Sequence, residues 1–151
     1  YAKKIMEDRD YVGCMAIEFF VVDGTLVANE VAPRVHNSGH WTIGGTDASQ
    51  FANHLNAITG KPLVSPTALS AVAMINFISE LPDPLKLNVG PHALFHDYGK
   101  ENRPLRKVGH LTLKGITYHY SCRELFHLWL ILIPFAFTLV MKNLLLVKFM
   151  I

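Results

Sequence analysis

Two glutamates, Glu18 and Glu30, are the residues of this sequence best suited to binding a divalent cation. They lie twelve positions apart on either side of an Asp23-Gly24 turn signal, and a dense polar stretch, residues 29–42, follows. Hard cations such as magnesium favour several oxygen ligands at about 2.0–2.5 Å, so two adjacent carboxylates can hold such an ion against a phosphate. The segment therefore indicates the metal end of an ATP-using site.

A β-hairpin would bring the two carboxylates together. Runs rich in β-branched and aromatic residues flank the turn signal and predict two antiparallel strands, 16–22 and 26–31. A two-residue turn at Asp23-Gly24 would pair Glu18 with Asn29 and place Glu30 on the other face. A three-residue loop that includes Thr25 would pair Glu18 with Glu30, with Cβ atoms roughly 5 Å apart. We predict the three-residue loop with a glycine-type bulge; a solvent-facing hairpin with two unrelated acids is the alternative.

The polar stretch contains two motifs, Asn29-Glu30-Val31-Ala32-Pro33-Arg34 and His36-Asn37-Ser38-Gly39-His40-Trp41-Thr42. With these motifs the chain resembles the 5-(carboxyamino)imidazole ribonucleotide synthases, a family of ATP-grasp ligases. The resemblance runs from near Tyr11 to near Gly115 and includes Ser49-Gln50-Phe51. One departure is Leu105, where the family usually has glycine, which puts the turn before Arg106 in question.

The resemblance implies a role for each polar residue of the motifs. Glu18 and Glu30 would be magnesium ligands that bridge the ATP phosphates, and Asn29 and Glu30 would lie against the nucleotide. Arg34 and His36 would be catalytic. The substrate ribonucleotide would contact a larger set of cationic and polar side chains: Arg34, His36, Asn37, Ser38, Lys100, Arg103, Arg106 and Lys107. The last four would form a cationic loop over the substrate phosphate.

The implied reaction uses ATP to phosphorylate bicarbonate, and the carboxyphosphate then carboxylates the exocyclic amine of aminoimidazole ribonucleotide. Phosphoryl transfer depends on positioning and charge neutralisation, which metal ions and a planar guanidinium such as that of Arg34 can supply. Two alternatives are another ATP-grasp ligase, such as a formate-dependent transformylase, and a non-catalytic, membrane-tethered remnant. His36 and His40 have the spacing of a helical zinc site, but their glycine- and proline-rich setting predicts a loop.

The expected fold class is α+β, in three parts. Residues 1–60 would be the C-terminal part of an ATP-grasp domain, an antiparallel hairpin followed by a helix. Residues 61–115 would be a small β-rich subdomain with strands at 71–79, 93–98 and 108–114, and residues 116–151 an apolar, helical tail. In the first part, Thr46 or Asp47 would cap the helix and Gly60 would end it. A stripe of apolar residues on that helix is predicted to pack in the core: Phe51, Leu55 and Ile58.

The tail is the least family-like part of the sequence. Residues 125–141 contain no charge across seventeen positions, which is near the lower limit for a membrane span. The resemblance stops near Ile116, beyond which the family has a polar tail. Three interpretations stay open: a replaced C-terminus, an apolar core helix, and a membrane anchor.

Charge and cysteine content exclude several classes of function. Residues 1–115 contain eleven Lys and Arg and eleven Asp and Glu, so no general basic surface for nucleic acid is expected. Cys14 and Cys122 form no metal or redox motif and favour a reducing, cytoplasmic location. The resemblance also implies that about half of the enzyme precedes Tyr1. We therefore expect this chain alone to be inactive and the full-length enzyme to be a homodimer that binds ATP and magnesium.

Overall fold

A computed structural model describes residues 1–87 and 90–115 and the backbone of residues 147–150. In chain order the elements are α1 (Ala2–Asp8), β1 (Ala16–Val22), β2 (Thr25–Ala32), a 3-10 turn (Asn37–Gly39), α2 (Thr42–Gly45), α3 (Gln50–Ile58), β3 (Val72–Ile78), α4 (Pro84–Leu87), β4 (Ala93–Asp97), β5 (Lys107–Lys114) and β6 (Val147–Met150). Among the described residues, these elements form two compact units, residues 1–68 with 147–150, and residues 69–87 with 90–115. Antiparallel sheets with few helices confirm the predicted α+β class.

The sheet of the first unit has β1 at its centre, in the order β2-β1-β6. Alternate residues of a strand point to opposite faces of a sheet. Ile17 and Phe19 point to the face that packs against Ile5 and Met6 of α1. Glu18 therefore points to the other face, where it is buried.

The hairpin turn contains two residues, Asp23 and Gly24. Both have positive φ, 49° and 76°, as a type I′ turn requires. The strands pair from Val22 and Thr25 onward, so the predicted three-residue loop is wrong. The physical reason is that Asp-Gly adopts the left-handed turn whose twist matches that of the flanking strands.

The predicted pairing of Glu18 with Glu30 is nevertheless confirmed, by a bulge in the middle of β2. Phe19 pairs with Ala28, whereas Glu18 pairs with Glu30, and the register shifts between these two pairs. Asn29 is the extra residue of the bulge. The register change that we expected at the turn thus occurs six residues later along the chain than Asp23.

Helix α3 begins at Gln50, with Ser49 as its N-cap. The Ser49 Oγ accepts a hydrogen bond of 3.2 Å from the Ala52 N–H. The predicted caps are therefore wrong, and the Thr46 hydroxyl instead bonds to backbone oxygens within its own turn. Gly60, with φ of 68°, follows the last turn and ends the helix as predicted.

The apolar stripe of α3 is exposed, so its predicted core packing is wrong for the part of the chain that is described. Phe51, Leu55 and Ile58 are 37%, 58% and 52% exposed. Hydrogen bonds on other positions of the helix fix it instead. The Asn53 side chain bonds both the N–H and the carbonyl of Val64, and His54 Nδ1 accepts the N–H of Cys14. Polar contacts, rather than the apolar stripe, thus anchor α3 within the first unit.

The second unit is a sheet in the order β3-β5-β4, and its strands confirm the three predicted segments. Its core contains a cluster of apolar side chains: Ile75, Phe77, Leu87, Val108 and Leu111. Gly109 lies in the central strand. A Cβ at that position would overlap the backbone oxygen of His96 and lie 2.6 Å from Cδ2 of Leu81.

A cluster of aromatic rings lies across β4 and β5 in this unit. The rings of His96 and His110 stack with centroids 4.3 Å apart, and the Tyr98 hydroxyl lies 2.7 Å from His110 Nδ1. His96 Nε2 is enclosed without a hydrogen-bond partner among the described atoms. Desolvation lowers the pKa of His96 below the ordinary value of 6.5.

The predicted helical tail falls mostly on residues 116–146, which lie outside the described residues. Its described end, residues 147–150, is a strand that pairs with β1, so the helical prediction is wrong there. None of the helices in the described ranges is long and apolar enough to cross a membrane.

Replacing Gly109 with Ala should destabilise the second unit by about 3 kcal/mol, since the new methyl group meets backbone that cannot move aside. Gly99→Ala is the matched control in the same unit. Gly99 has φ of 62° and open space around its Cα, so only backbone strain of about 1 kcal/mol is expected. Urea unfolding of the full chain measures both. Equal losses would show that Gly109 is not sterically required.

Stability of the second unit should also depend on His96 in acid. Because the folded-state pKa is lowered, the unfolded chain binds the proton first. Stability is therefore complete above the ordinary pKa of 6.5 and falls as the pH drops through that value towards the folded-state pKa. Relative to His96→Gln, the wild-type chain should lose stability in urea unfolding between about pH 7.5 and about pH 5. A constant difference between the two chains would contradict the desolvation of His96.

Candidate active site

The imidazole of His36 lies between the two glutamates of the hairpin. Its Nδ1 is 3.5 Å from Oε1 of Glu18, and its Nε2 is 3.4 Å from Oε1 of Glu30. Both carboxylates therefore converge on one side chain. The predicted convergence of Glu18 and Glu30 on one side of the sheet is confirmed.

The two carboxylates differ in exposure. The Glu18 side chain is 12% exposed, whereas that of Glu30 is 49% exposed. Asn29, the bulge residue, donates from Nδ2 to Oε2 of Glu18 over 3.4 Å. Buried carboxylates need polar partners. The bulge thus supplies one for Glu18 and leaves Glu30 accessible.

The loop after Pro33 orients His36. The His36 Nδ1 lies 2.8 Å from the Ser38 Oγ and accepts the Ser38 N–H at 3.4 Å. His36 thereby caps the 3-10 turn that contains Asn37 and Ser38. The segment is a loop rather than a helix that would align His36 with His40, as the sequence predicts.

Gln50 completes this site, a role that the sequence did not predict. It is 3% exposed, and its Oε1 accepts the His36 N–H at 2.9 Å while its Nε2 donates to the His36 carbonyl at 2.8 Å. The same Nε2 lies 2.7 Å from His40 Nδ1. In the sequence, Gln50 is marked only by its place in the family-like run Ser49-Gln50-Phe51, which assigns it no contact.

Arg34 is exposed at the start of the loop. Its Nη1 donates to the carbonyl of Val35 at 3.0 Å, and its backbone N–H donates to the carbonyl of Ala32 at 2.8 Å. Arg34 lies two residues before His36, and its side chain is exposed to solvent.

The four predicted cations of the second unit lie along one segment, residues 100–107, between β4 and the start of β5. The Lys100 Nζ lies 5.1 Å from the centroid of the Tyr98 ring, a cation–π contact. The Arg106 N–H donates to the carbonyl of Arg103. Lys107 is the first residue of β5.

The turn that Leu105 puts in question does form. Leu105 has φ of 61°, the left-handed conformation that glycine adopts without strain, and its side chain is 87% exposed. Its N–H donates to the Ser79 Oγ at 3.0 Å, and the Ser79 N–H donates to the Arg106 carbonyl at 2.7 Å. Hydrogen bonds to the end of β3 therefore hold this turn.

The carboxylate pair fits a magnesium ion that is shared with a nucleotide. Magnesium in nucleotide sites commonly takes one or two protein carboxylates and completes its octahedron with phosphate oxygens and water. Glu18 and Glu30 supply that number of carboxylates. Within the described residues, no group of three or more His, Cys, Asp or Glu side chains could hold a metal ion.

Comparison with known proteins agrees with these features. The ATP-grasp domain family matches residues 1–51, and the phosphoribosylaminoimidazole carboxylase C-terminal domain matches residues 72–120. The N5-carboxyaminoimidazole ribonucleotide synthase of Pseudomonas aeruginosa is 50% identical over 114 residues, which are 76% of this chain and 32% of that protein. The chain thus spans about a third of the length of the curated relatives it matches.

Solved structures of such synthases are also similar to this chain. N5-carboxyaminoimidazole ribonucleotide synthetase from Thermus thermophilus matches with a TM-score of 0.78 and 44% identity, covering 94% of this chain and 38% of that one. The Aspergillus clavatus synthase, solved in complex with ADP and 5-aminoimidazole ribonucleotide, matches with a TM-score of 0.67 and 30% identity, covering 81% and 35%. Together with the paired glutamates and the two motifs, these matches show that this chain belongs to the N5-carboxyaminoimidazole ribonucleotide synthase family of ATP-grasp ligases.

Proposed function

We propose that the protein containing this chain uses ATP to carboxylate 5-aminoimidazole ribonucleotide with bicarbonate, through carboxyphosphate, in purine biosynthesis. The products are 5-(carboxyamino)imidazole ribonucleotide, ADP and phosphate. The observation that carries the proposal is the convergence of Glu18 and Glu30 on His36, within the motifs that the family shares. This chain contributes the metal end of the nucleotide site.

Glu18 and Glu30 are the proposed magnesium ligands, and Asn29 and Glu30 the proposed nucleotide contacts. When bound, magnesium supplies charge neutralisation to the transferring phosphoryl group. The buried carboxylate of Glu18 is held by Asn29, so its position is fixed before any ligand arrives. The exposed carboxylate of Glu30 can turn at little cost towards a magnesium ion carried by an incoming nucleotide.

Arg34 and His36 are the proposed catalytic residues, and they also contact the substrate. The Arg34 guanidinium is exposed, and its planar fork suits two phosphate or carboxylate oxygens at once. The His36 ring is fixed in the loop by Ser38, next to both carboxylates. Asn37 and Ser38 add neutral hydrogen-bonding groups from the same turn.

The cationic segment of the second unit is the proposed site for the substrate phosphate. Lys100, Arg103, Arg106 and Lys107 place four positive charges within eight residues, against the single acid Glu101. All but Arg106 are exposed, and Arg106 is half-buried. Such a cluster attracts a dianionic phosphate.

The remaining parts of the proposal are bicarbonate as co-substrate, a homodimer for the full-length protein, and a cytoplasmic location. The complex of the Aspergillus clavatus synthase with ADP and 5-aminoimidazole ribonucleotide supports the nucleotide and the ribonucleotide as ligands of the family. The balance of acids and bases in residues 1–115 supports a protein that does not bind nucleic acid.

The protein expressed from its complete reading frame should release ADP only when both bicarbonate and 5-aminoimidazole ribonucleotide are present. Glu30→Gln should lower kcat/KM on the order of 100-fold, because it removes a proposed ligand of the magnesium ion that neutralises charge in the transition state. A coupled ADP-release assay measures both effects. Activity with formate in place of bicarbonate would point to a transformylase, and no turnover with either would overturn the proposal.

In the same protein, Glu18→Gln should raise stability by about 0.5 kcal/mol without nucleotide, since like charges directly opposite in a hairpin repel. Asp23→Asn is the matched control: it removes an exposed acid from the same hairpin without an opposing carboxylate, so no change is expected. Urea unfolding at about pH 8, where histidines are generally neutral, measures both variants. Magnesium and ATP should reverse the order of Glu18→Gln and wild type. A loss of stability in Glu18→Gln without nucleotide would contradict the repulsion.

A further inference from the structure

Gln50 forms hydrogen bonds with the loop that carries the second motif. Its side-chain amide bonds the backbone of His36 in both directions, as acceptor from the N–H and as donor to the carbonyl. These two bonds form a closed ring between one side chain and one residue of the loop. A rotation or displacement of the His36 backbone would therefore break one or both of these bonds.

A second connection holds the other end of the loop against α3. The Gln50 backbone N–H donates to the Thr42 Oγ1 at 3.0 Å, and the Thr42 hydroxyl donates to the carbonyl of Gly39 at 2.6 Å. Gln50 and Thr42 are both buried, at 3% and 2% exposure. The segment between His36 and Thr42 is thus fixed to the start of α3 at both ends, away from solvent competition.

The imidazole that Gln50 holds is the one that touches both carboxylates. The side chain of His36 has two ring contacts at 3.5 and 3.4 Å, one to Glu18 and one to Glu30. A shift of the His36 backbone would therefore change the separation or the orientation of the two acids. Groups behind metal ligands commonly set metal affinity in this manner.

We propose that Gln50 is a positioning residue, which through His36 sets the geometry in which Glu18 and Glu30 receive magnesium. This role rests on the proposed function and adds to it a residue that touches neither metal nor substrate. In this role, loss of Gln50 should raise the magnesium concentration that the protein needs for activity. Loss of a purely structural residue should change only the stability of the fold.

The test compares Gln50→Met with Ser49→Ala in the protein expressed from its complete reading frame. Methionine keeps the volume of Gln50 and removes its hydrogen bonds, whereas Ser49→Ala removes the neighbouring helix cap at a cost of about 1 kcal/mol. Gln50→Met should raise the free magnesium concentration for half-maximal ADP release about 10-fold or more. At saturating magnesium, kcat should fall as well, because His36 is a proposed catalytic residue, so the shift in half-maximal magnesium is the result that tests the positioning role. Ser49→Ala should leave the magnesium dependence unchanged.

A second pair of variants covers the case in which Gln50→Met does not fold. Thr42→Val removes the hydroxyl that holds the Gln50 backbone but keeps the Gln50 amide. It should shift the magnesium dependence in the same direction by a smaller factor. Thr42→Ser keeps the hydroxyl and should behave as wild type. A lower kcat with no shift in half-maximal magnesium in Gln50→Met, or in Thr42→Val where Gln50→Met does not fold, would overturn the positioning role.

Failure of the proposed function would be seen separately, as absence of turnover in the wild-type protein. In that case amide hydrogen exchange of the His36 N–H tests the position of the loop directly. Exchange should be about 10-fold faster in Gln50→Met than in Ser49→Ala, because only the first variant removes the acceptor of that N–H. Equal exchange in the two variants would overturn the inference.

Discussion

The opposition of two carboxylates across one hairpin is the constraint on which the rest of the first unit depends. Like charges that face each other across a hairpin repel, so the chain must offset the repulsion between Glu18 and Glu30. The structure places the His36 ring between the acids and an Asn29 amide on the more buried one. The Asn29 amide donates to Glu18, and the His36 ring separates the two carboxylates.

The fold holds the residues of the site to different degrees. Strand β1 is central in its sheet, so Glu18 is fixed by strand pairing on both sides. His36 is fixed less directly, through the amide of Gln50 at the buried start of α3. Glu30 lies on the edge strand and Arg34 at the beginning of a loop, where both side chains are exposed. A buried acid, an imidazole held by hydrogen bonds and two exposed charged groups suit the proposed role of this site in accepting and releasing a nucleotide.

The sequence predicted the elements better than the way they connect. Alternating residues around Asp23-Gly24 suffice for a hairpin, and the strands of the second unit follow from similar local patterns. The predicted pairing of Glu18 with Glu30 was right, although the predicted cause, a three-residue turn, was wrong. The bulge at Asn29 could not be located from the turn residues, because its position depends on pairing along the whole strand. Helical periodicity located the stripe of Phe51, but not which side of α3 would pack. Gln50 could not be recognised because its partner is the backbone of a loop fourteen residues earlier.

The bulge has a chemical consequence that a regular hairpin cannot provide. In a regular antiparallel pair, each residue of one strand lies opposite one residue of the other. Successive side chains of a strand point to opposite faces of the sheet. Where two residues oppose one, a strand can direct successive side chains towards the same partner. Asn29 and Glu30 are successive, yet Asn29 contacts Glu18, and Glu30 contacts the same His36 ring as Glu18. Two strands thereby bring three oxygen-bearing side chains to one region of the hairpin: Glu18, Asn29 and Glu30.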